Sequence, residues 1–130
     1  MANPNIVSVA TIAGGSIGFH MLTADATAIM TVSTDYIVKV NSILVANVDG
    51  TNAATVDIRI VKANATPLGI TNFDISGTFY IAKDVNVPVD DMLVVVDKPI
   101  YLMEGDVLQG SASVARDLDL FFSYDVIIDW

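Results

Sequence analysis

Apolar and polar side chains alternate along much of this chain, and the longest alternating run spans residues 36–48. Successive side chains of a β-strand point to opposite faces of the sheet, so this run predicts a strand with one buried face. The side chains expected to face the core are Tyr36, Val38, Val40, Leu44, Ala46 and Val48. The residues between them, among them Ile37, Ile43 and Val45, are expected to face outward.

An Asp49-Gly50 pair follows this run and predicts a tight turn, because glycine adopts positive φ angles easily. The run after the turn alternates again, with Val56, Ile58 and Ile60 on one side. We therefore predict that the two runs pair as a β-hairpin.

Weaker alternation predicts further short strands between clusters of Gly, Pro, Asn and Asp. These strands are Asn5–Ile12, Ser16–Leu22, Ala28–Ser33, Thr78–Val87, Met92–Val96, Ile100–Leu102, Val107–Val114 and Leu118–Val126. The segment 13–15 is expected to end the first of them. The continuous apolar run 92–96 predicts burial on both faces. Residues 64–76 are expected to form a loop, and residues 88–91 have room for one helical turn.

Many short strands at spacings of about 8–12 residues indicate a β-sandwich or a barrel. We predict an all-β, single-domain β-sandwich over residues 1–130, jelly-roll-like in its connections, with residues 1–5 as an N-terminal arm. The predicted core consists of Val38, Val40, Leu44, Val56, Ile58, Ile60, Leu118, Leu120 and Tyr124.

The composition narrows the classes of function. The apolar fraction of 53% is typical of a folded chain, and 130 residues suit one domain. A net charge of −9 with scattered Lys and Arg opposes nucleic-acid binding, since phosphate contacts need clustered cations. No apolar run approaches the roughly 20 residues of a membrane helix. The first residues carry no basic segment, so we expect no signal peptide. The lack of Cys fits synthesis in a reducing cytoplasm.

Residues suited to catalysis are sparse. His20 is the only histidine, and a catalytic histidine needs both a nucleophile and an orienting carboxylate. Ser16 and Asp25 are near it in sequence, but no motif frames them. We therefore expect no enzymatic activity, no catalytic residues and no cofactor.

Three acidic pairs offer oxygen ligands for a hard cation such as calcium. They are Asp90-Asp91, Glu104/Asp106 and Asp117/Asp119. None has the spacing of a calcium-binding loop. We expect these carboxylates to lie in solvated turns and assign no metal site; a structural cation near 104–106 or 117–119 is the alternative.

Aromatic residues raise a carbohydrate-binding module as a further alternative. The candidates for a sugar platform are Tyr80, Tyr101, Tyr124 and Trp130. Three of the four lie within alternating strands, where packing inside the protein is the commoner role.

The charged fraction of 16% is below the roughly 25% that is typical of soluble domains, which indicates apolar surface that meets a partner. The expected contact residues are Ile37, Ile43, Val45, Ile127, Ile128 and Trp130. Burying about six such side chains contributes roughly 9–18 kcal/mol, against an association cost of about 4–15 kcal/mol. We therefore predict a homo-oligomer or a lattice-bound subunit with both termini at contacts.

Four segments resemble small virion structural proteins of tailed bacteriophages, notably those that infect cyanobacteria. The segments are Met1–Val7, Val45–Ala54, Tyr80–Lys83 and Pro99–Asp106. The resemblance implies a part of the virus particle present in many copies, which contacts other virion proteins, above all the major capsid protein. It implies no site residues.

Two placements in the particle stay open. A capsid decoration or cement protein binds the outside of the head and stabilises it, whereas a tail, neck or fibre component forms a ring or trimer along the axis. The acidic charge favours the capsid exterior, because surfaces that face DNA gain from neutral or basic charge. We expect a virion protein on the capsid exterior, synthesised in the host cytoplasm, with no nucleic-acid or membrane partner.

Overall fold

The computed structural model describes residues 11–23, 28–63 and 77–128, and all regular structure within them is β-strand. The strands are β1 (Thr11–His20), β2 (Ala28–Thr31), β3 (Tyr36–Asn47), β4 (Ala54–Lys62), β5 (Gly77–Val87), β6 (Met92–Val96), β7 (Ile100–Leu102), β8 (Val107–Ala112) and β9 (Leu118–Ile128). The prediction of an all-β fold is confirmed. The predicted helical turn at 88–91 is a simple turn, closed by the Asp91 N–H donating to the Pro88 carbonyl at 3.2 Å.

The strands form two antiparallel sheets that enclose one core. Sheet 1 has the order β1-β9-β3-β6, with β7 also beside β3, and sheet 2 has the order β2-β8-β4-β5. Consecutive strands repeatedly lie in different sheets: β2 is in sheet 2, whereas β1 before it and β3 after it are in sheet 1. This architecture is the β-sandwich that the alternation predicts. The jelly-roll description of the connections stays a prediction, which the crossing between sheets favours.

The predicted hairpin around Asp49 is wrong, because β3 belongs to sheet 1 and β4 to sheet 2. The Asp49 carboxylate accepts the N–H groups of Thr51 and Asn52, which makes a local Asx turn. The Asn47 amide donates to the carbonyls of Asn52 and Val87, both at 3.0 Å. These bonds tie the turn to the end of β5 and direct the chain across the sandwich.

A β-bulge in β3 reverses the faces expected for its second half. Val40 pairs with Tyr124 and Ser42 pairs with Ser123, so Asn41 is an extra residue without a cross-strand partner. An extra residue moves every later side chain to the opposite face. The apolar side chains therefore divide differently from the prediction: Ile43 and Val45 are fully buried in the core, while Leu44 and Ala46 face outward.

The first strand does not end at the paired glycines, contrary to the prediction. β1 runs through them and pairs with β9 along its whole length, with Gly15 opposite Tyr124. A Cβ on Gly15 would lie 2.7 Å from the Tyr124 ring, so this position needs a residue without a side chain. Glycine here makes room for an aromatic ring and does not make a turn.

The core confirms most of the residues that alternation selects. Val38, Val40, Val56, Ile58, Leu118 and Leu120 are buried in it, and the partly buried Ile60 and Tyr124 pack against it. Leu44 is the exception, because the bulge at Asn41 places it on the outer face. Strand β6 is also less enclosed than predicted, since Met92 and Val94 are exposed and only its other face reaches the core.

Ile37 and Ile127 point away from the main core but are buried in the single chain, at 4% and 6% exposure. They are cross-strand partners, and Ile127 also pairs with Ile12 of β1. The isoleucines form one row in which the two inner members are shielded while Ile12, on the edge strand, stays exposed. The expectation that Ile37 and Ile127 lie free at the surface is therefore wrong.

Several sequence predictions concern residues outside the described ranges. These are the strand portion 5–10, the arm 1–5, the loop 64–76, Asp25 and Trp130. Among the expected contact residues, Ile128 is half-buried at the end of β9.

Candidate functional site

The candidate site is the outer face of sheet 1, which is the face that points away from the core. Besides the row of isoleucines described above, cross-strand pairing arranges its side chains in four rows across β1, β9, β3 and the β6/β7 edge. The rows are Gly14–Asp125–Lys39–Tyr101, Ser16–Ser123–Ser42, Gly18–Phe121–Leu44–Val94 and His20–Asp119–Ala46–Met92. A solvated sheet face is expected to be mainly polar, and the last two of these rows are not.

An apolar ridge, made of Phe121, Leu44, Val94 and Met92, crosses this face. Phe121, Met92 and Val94 are 51%, 52% and 47% exposed, and Leu44 lies half-buried between them. Phe121 pairs with Leu44, and Leu44 pairs with Val94, so the side chains are adjacent in one row. Contiguous exposed apolar side chains of this kind mark interaction surfaces more often than scattered ones do.

The outer face slopes from large residues to small ones. Beside the ridge, β1 presents only Gly14, Ser16, Gly18 and His20 to this face. The Phe121 ring lies against Gly18, since a Cβ at that glycine would be 3.5 Å from the ring. At the opposite edge stand the exposed side chains of Tyr101, Val94 and Met92. The face is therefore shallow over residues 14–18 of β1, between the exposed Ile12 and His20, and raised over β6 and β7.

Polar residues occupy the other half of the face. Lys39 and Asp125 are cross-strand partners, and the Asn41 amide at the bulge donates to Asp125 Oδ2 at 3.3 Å. The Ser42 and Ser123 hydroxyls are hydrogen-bonded at 3.0 Å. These contacts place one positive and one negative side chain next to each other at the centre of the sheet.

His20 belongs to the same face, and its partner is Asp119, which the sequence suggests only as a member of an acidic pair. Its Nδ1 lies 2.7 Å from Asp119 Oδ1, and both side chains are exposed. Ser16 is four residues away on the same strand, which is about 13 Å in extended backbone. The strand therefore keeps Ser16 out of hydrogen-bonding range of His20, and the pair orients His20 at the surface of β1.

Carboxylates of the acidic pairs accept hydrogen bonds from nearby backbone and side-chain groups. The Asp106 carboxylate is fully buried and accepts bonds from Lys62 Nζ at 2.6 Å, from the Ala63 N–H and from the Met103 N–H. Asp91 Oδ1 accepts the Met92 N–H at 2.7 Å. Within the described ranges no three metal-ligating side chains converge.

Asp117 is the acidic residue whose environment changes its titration. Partial burial, the negative charge of Asp49 and a hydrogen bond with the Asp49 side chain together raise the pKa of Asp117 above its ordinary value of 3.8. A raised pKa means that the fold favours the protonated, hydrogen-bonded carboxyl.

The aromatic residues considered for a sugar platform lie apart. Tyr80 is on β5 in sheet 2, where Lys83 Nζ lies 4.6 Å and the Arg59 guanidinium 5.8 Å from its ring centroid. Tyr101 is on the outer face of sheet 1, and Tyr124 packs against the core. Trp130 is outside the described residues. No common platform joins the described tyrosines.

Sequence reasoning missed the apolar ridge for two reasons. The alternation through Asn41 predicts no bulge, and the continuous apolar run 92–96 predicts burial on both faces. One signal does identify it. The alternate positions of β9 on either side of Phe121 carry the polar residues Asp119, Ser123 and Asp125. An aromatic residue among the polar positions of a strand indicates apolar surface on the solvated face.

No helix in the described part of the chain has the length and apolar character needed to cross a membrane. Comparison with known proteins adds no family, because no family model, curated protein or solved structure matches the chain.

Proposed function

We propose that this protein is a structural component of a bacteriophage particle, and that it acts by binding other protein subunits through the outer face of sheet 1. The observation that carries the proposal is the apolar ridge of Phe121, Leu44, Val94 and Met92. Covering each of these partly exposed side chains contributes about 1 kcal/mol, so a partner that covers the ridge gains binding free energy.

The charge of the chain and its resemblance to small virion proteins support a place on the outside of the capsid. A net charge of −9 opposes contact with packaged DNA and favours the outside of the capsid. There the protein acts as a decoration or cement protein that binds the major capsid protein and stabilises the head. A tail, neck or fibre position is the alternative within the particle.

The fold supports this proposal without determining it. Double-sheet sandwiches with crossing connections occur in viral capsid domains and also in lectins, so the architecture is shared by several functions. The apolar ridge favours a protein partner over a sugar, because the exposed tyrosines of the described chain are on different sheets.

The proposal is tested by counting copies of the chain in purified particles of the phage that encodes it, by quantitative mass spectrometry against the major capsid protein. We expect a copy number close to that of the capsid protein. A handful of copies per particle would move the protein to the tail, neck or fibre, and complete absence from washed particles would overturn the proposal.

A matched pair of variants tests the surface. Phe121→Asp should lower the amount of the chain that remains on particles, because a carboxylate would be desolvated in the contact. Ile81→Asp, at an exposed bulge position of β5 in sheet 2, should leave it unchanged. Equal retention of the two variants would contradict binding through sheet 1.

A further inference from the structure

We propose that the outer face of sheet 1 binds a second copy of the same chain, about a twofold axis that runs parallel to the strands between β9 and β3. This inference deepens the proposed function, on which it rests, by naming the partner of the apolar ridge. Twofold dimers are the commonest assemblies of identical chains, and they require a surface that is complementary to itself.

The proposed axis determines which strands of the two copies face each other. A rotation about a line parallel to the strands keeps each row of the face opposite the same row of the second copy. It places β9 opposite β3 of that copy, and β1 opposite its β6/β7 edge. The contact residues can therefore be read from the cross-strand pairs that define the rows.

Charge complementarity is the first argument for this axis. In the row that contains Lys39 and Asp125, the rotation brings Lys39 of each copy opposite Asp125 of the other. Two oppositely charged pairs form, related by the symmetry, and they fix the register of the two sheets. The net charge of the chain is −9, so a contact that places opposite charges together is needed to offset repulsion between copies.

Shape complementarity is the second argument. The same rotation places Gly14 opposite Tyr101 and Gly18 opposite Val94, so in these two rows a residue without a side chain receives a large one. In the fourth row the exposed His20 meets Met92. Phe121 meets Leu44 in the central row, and this places the apolar ridges against each other. Large side chains meeting small ones allow two sheets to interdigitate.

An axis across the strands does not give a complementary surface. If it passes through the serine row, it brings the ridge row with Phe121 and Leu44 opposite the row with Asp125 and Lys39. Both charges are then desolvated against apolar side chains and gain no partner from the second copy, which is unfavourable. The proposed axis also places Asp119 opposite Ala46, where its carboxylate keeps the contact with His20 of its own chain.

The area of the face sets the strength of the dimer. The four rows cover about 20 by 23 Å, from the spacing of strands and residues in a sheet. Two such faces together bury about 1,000 Å² of surface, which is at the lower end of the range for specific protein complexes. The Ile37–Ile127 row adds little, because its inner members are already buried in the single chain. We therefore expect a dimer that dissociates at micromolar concentrations.

Sedimentation equilibrium of the purified full chain, from below about 1 μM to about 1 mM, measures the assembly directly. We expect a reversible monomer–dimer equilibrium. Phe121→Asp should shift it to monomer throughout this range, whereas Ile81→Asp should behave like the unchanged chain. A chain that is monomeric at every concentration, or a dimer that Phe121→Asp leaves intact, overturns the inference.

A charge exchange tests the axis itself. Lys39→Glu and Asp125→Lys should each raise the dissociation constant by about tenfold or more, because each places like charges opposite in both symmetric pairs. An equimolar mixture of the two variants should recover the dimer, since every pair across the interface is then oppositely charged. This recovery requires both variants to be folded, so lack of folding cannot imitate it. Weakened single variants without recovery overturn the proposed axis.

The two proposals fail separately. A dimer in solution from a chain that is absent from particles sinks the virion function and leaves the self-association intact. A monomer in solution that is abundant on particles leaves the virion function intact and assigns the ridge to a different protein.

Discussion

Single polar residues connect neighbouring strands and turns of the sandwich. Asp106 lies in the turn between β7 and β8, and its carboxylate binds the ammonium group of Lys62 and two backbone N–H groups. Arg59 faces away from the core as alternation predicts, yet it is only 6% exposed. Its Nε donates to Gln109 Oε1 at 2.9 Å, and its guanidinium lies over Tyr80. The side chains of Asp106 and Arg59 are thus held by residues that are distant in sequence.

Asp106→Asn should reduce the free energy of unfolding by on the order of 3 kcal/mol, because it removes one partner of a buried charge pair. Lys62 is partly exposed and regains some hydration, which keeps the loss below that of a fully enclosed pair. Urea denaturation monitored by far-UV circular dichroism measures the change. Asp97→Asn, at an exposed position between β6 and β7, is the control and should change stability little. A loss below about 1 kcal/mol at Asp106 would show that the bonds at this turn are dispensable.

Asp117→Asn should stabilise the protein at neutral pH and lose this advantage in acid. Because the folded state raises the pKa of Asp117 above 3.8, ionisation is less favourable in the folded chain than in the unfolded one. The associated stability is present below pH 3.8 and is lost as the pH rises through the raised pKa. Thermal unfolding of the unchanged chain and of Asp117→Asn, from below pH 3.8 to neutral pH, measures the difference in stability. A difference in melting temperature that is independent of pH would contradict the unfavourable ionisation of Asp117 in the folded chain as its cause.

At the scale of elements, the bulge at Asn41 determines which residues of β3 enter the core. The strand is apolar on both faces for much of its length, so its sequence satisfies either register. Pairing with β9 on one side and with β6 and β7 on the other selects the bulged register. The same bulge places Leu44 on the outer face, where it joins the apolar ridge.

Deleting Asn41 should leave a cooperatively folded protein, because Ser42 then follows Val40 directly and every later residue of β3 keeps its face and its partner on β9. Inserting one alanine between Ser42 and Ile43 should instead lower the free energy of unfolding, because it turns Ile43 and Val45 outward and puts Leu44 and the smaller Ala46 in their place. Each buried aliphatic side chain that is lost or shortened costs about 1–5 kcal/mol. Far-UV circular dichroism with thermal melting compares the two variants. A melt of the insertion variant near that of the unchanged chain would show that β3 tolerates both registers.

At the scale of the whole molecule, the sandwich leaves two outer faces of different character. Sheet 1 exposes an apolar ridge beside paired charges, and sheet 2 exposes Tyr80 with two cationic side chains over its ring. The proposed self-association and particle binding both depend on the first face. The two outer faces belong to different sheets. A substitution on one face therefore leaves the other face unaltered and serves as a control for it.

The alternation of side chains by itself determined that the chain is built from β-strands, and it located most of them. It also identified Val56, Ile58, Leu118 and Leu120 as core residues, since these lie in runs without a bulge. Only the tertiary structure decided that β3 and β4 lie in different sheets, that Ile43 replaces Leu44 in the core, and that Asp119 is the partner of His20. The physical reason is that alternation is a local property of one strand. Strand pairing, bulges and the choice of the buried face depend on contacts between residues far apart in sequence.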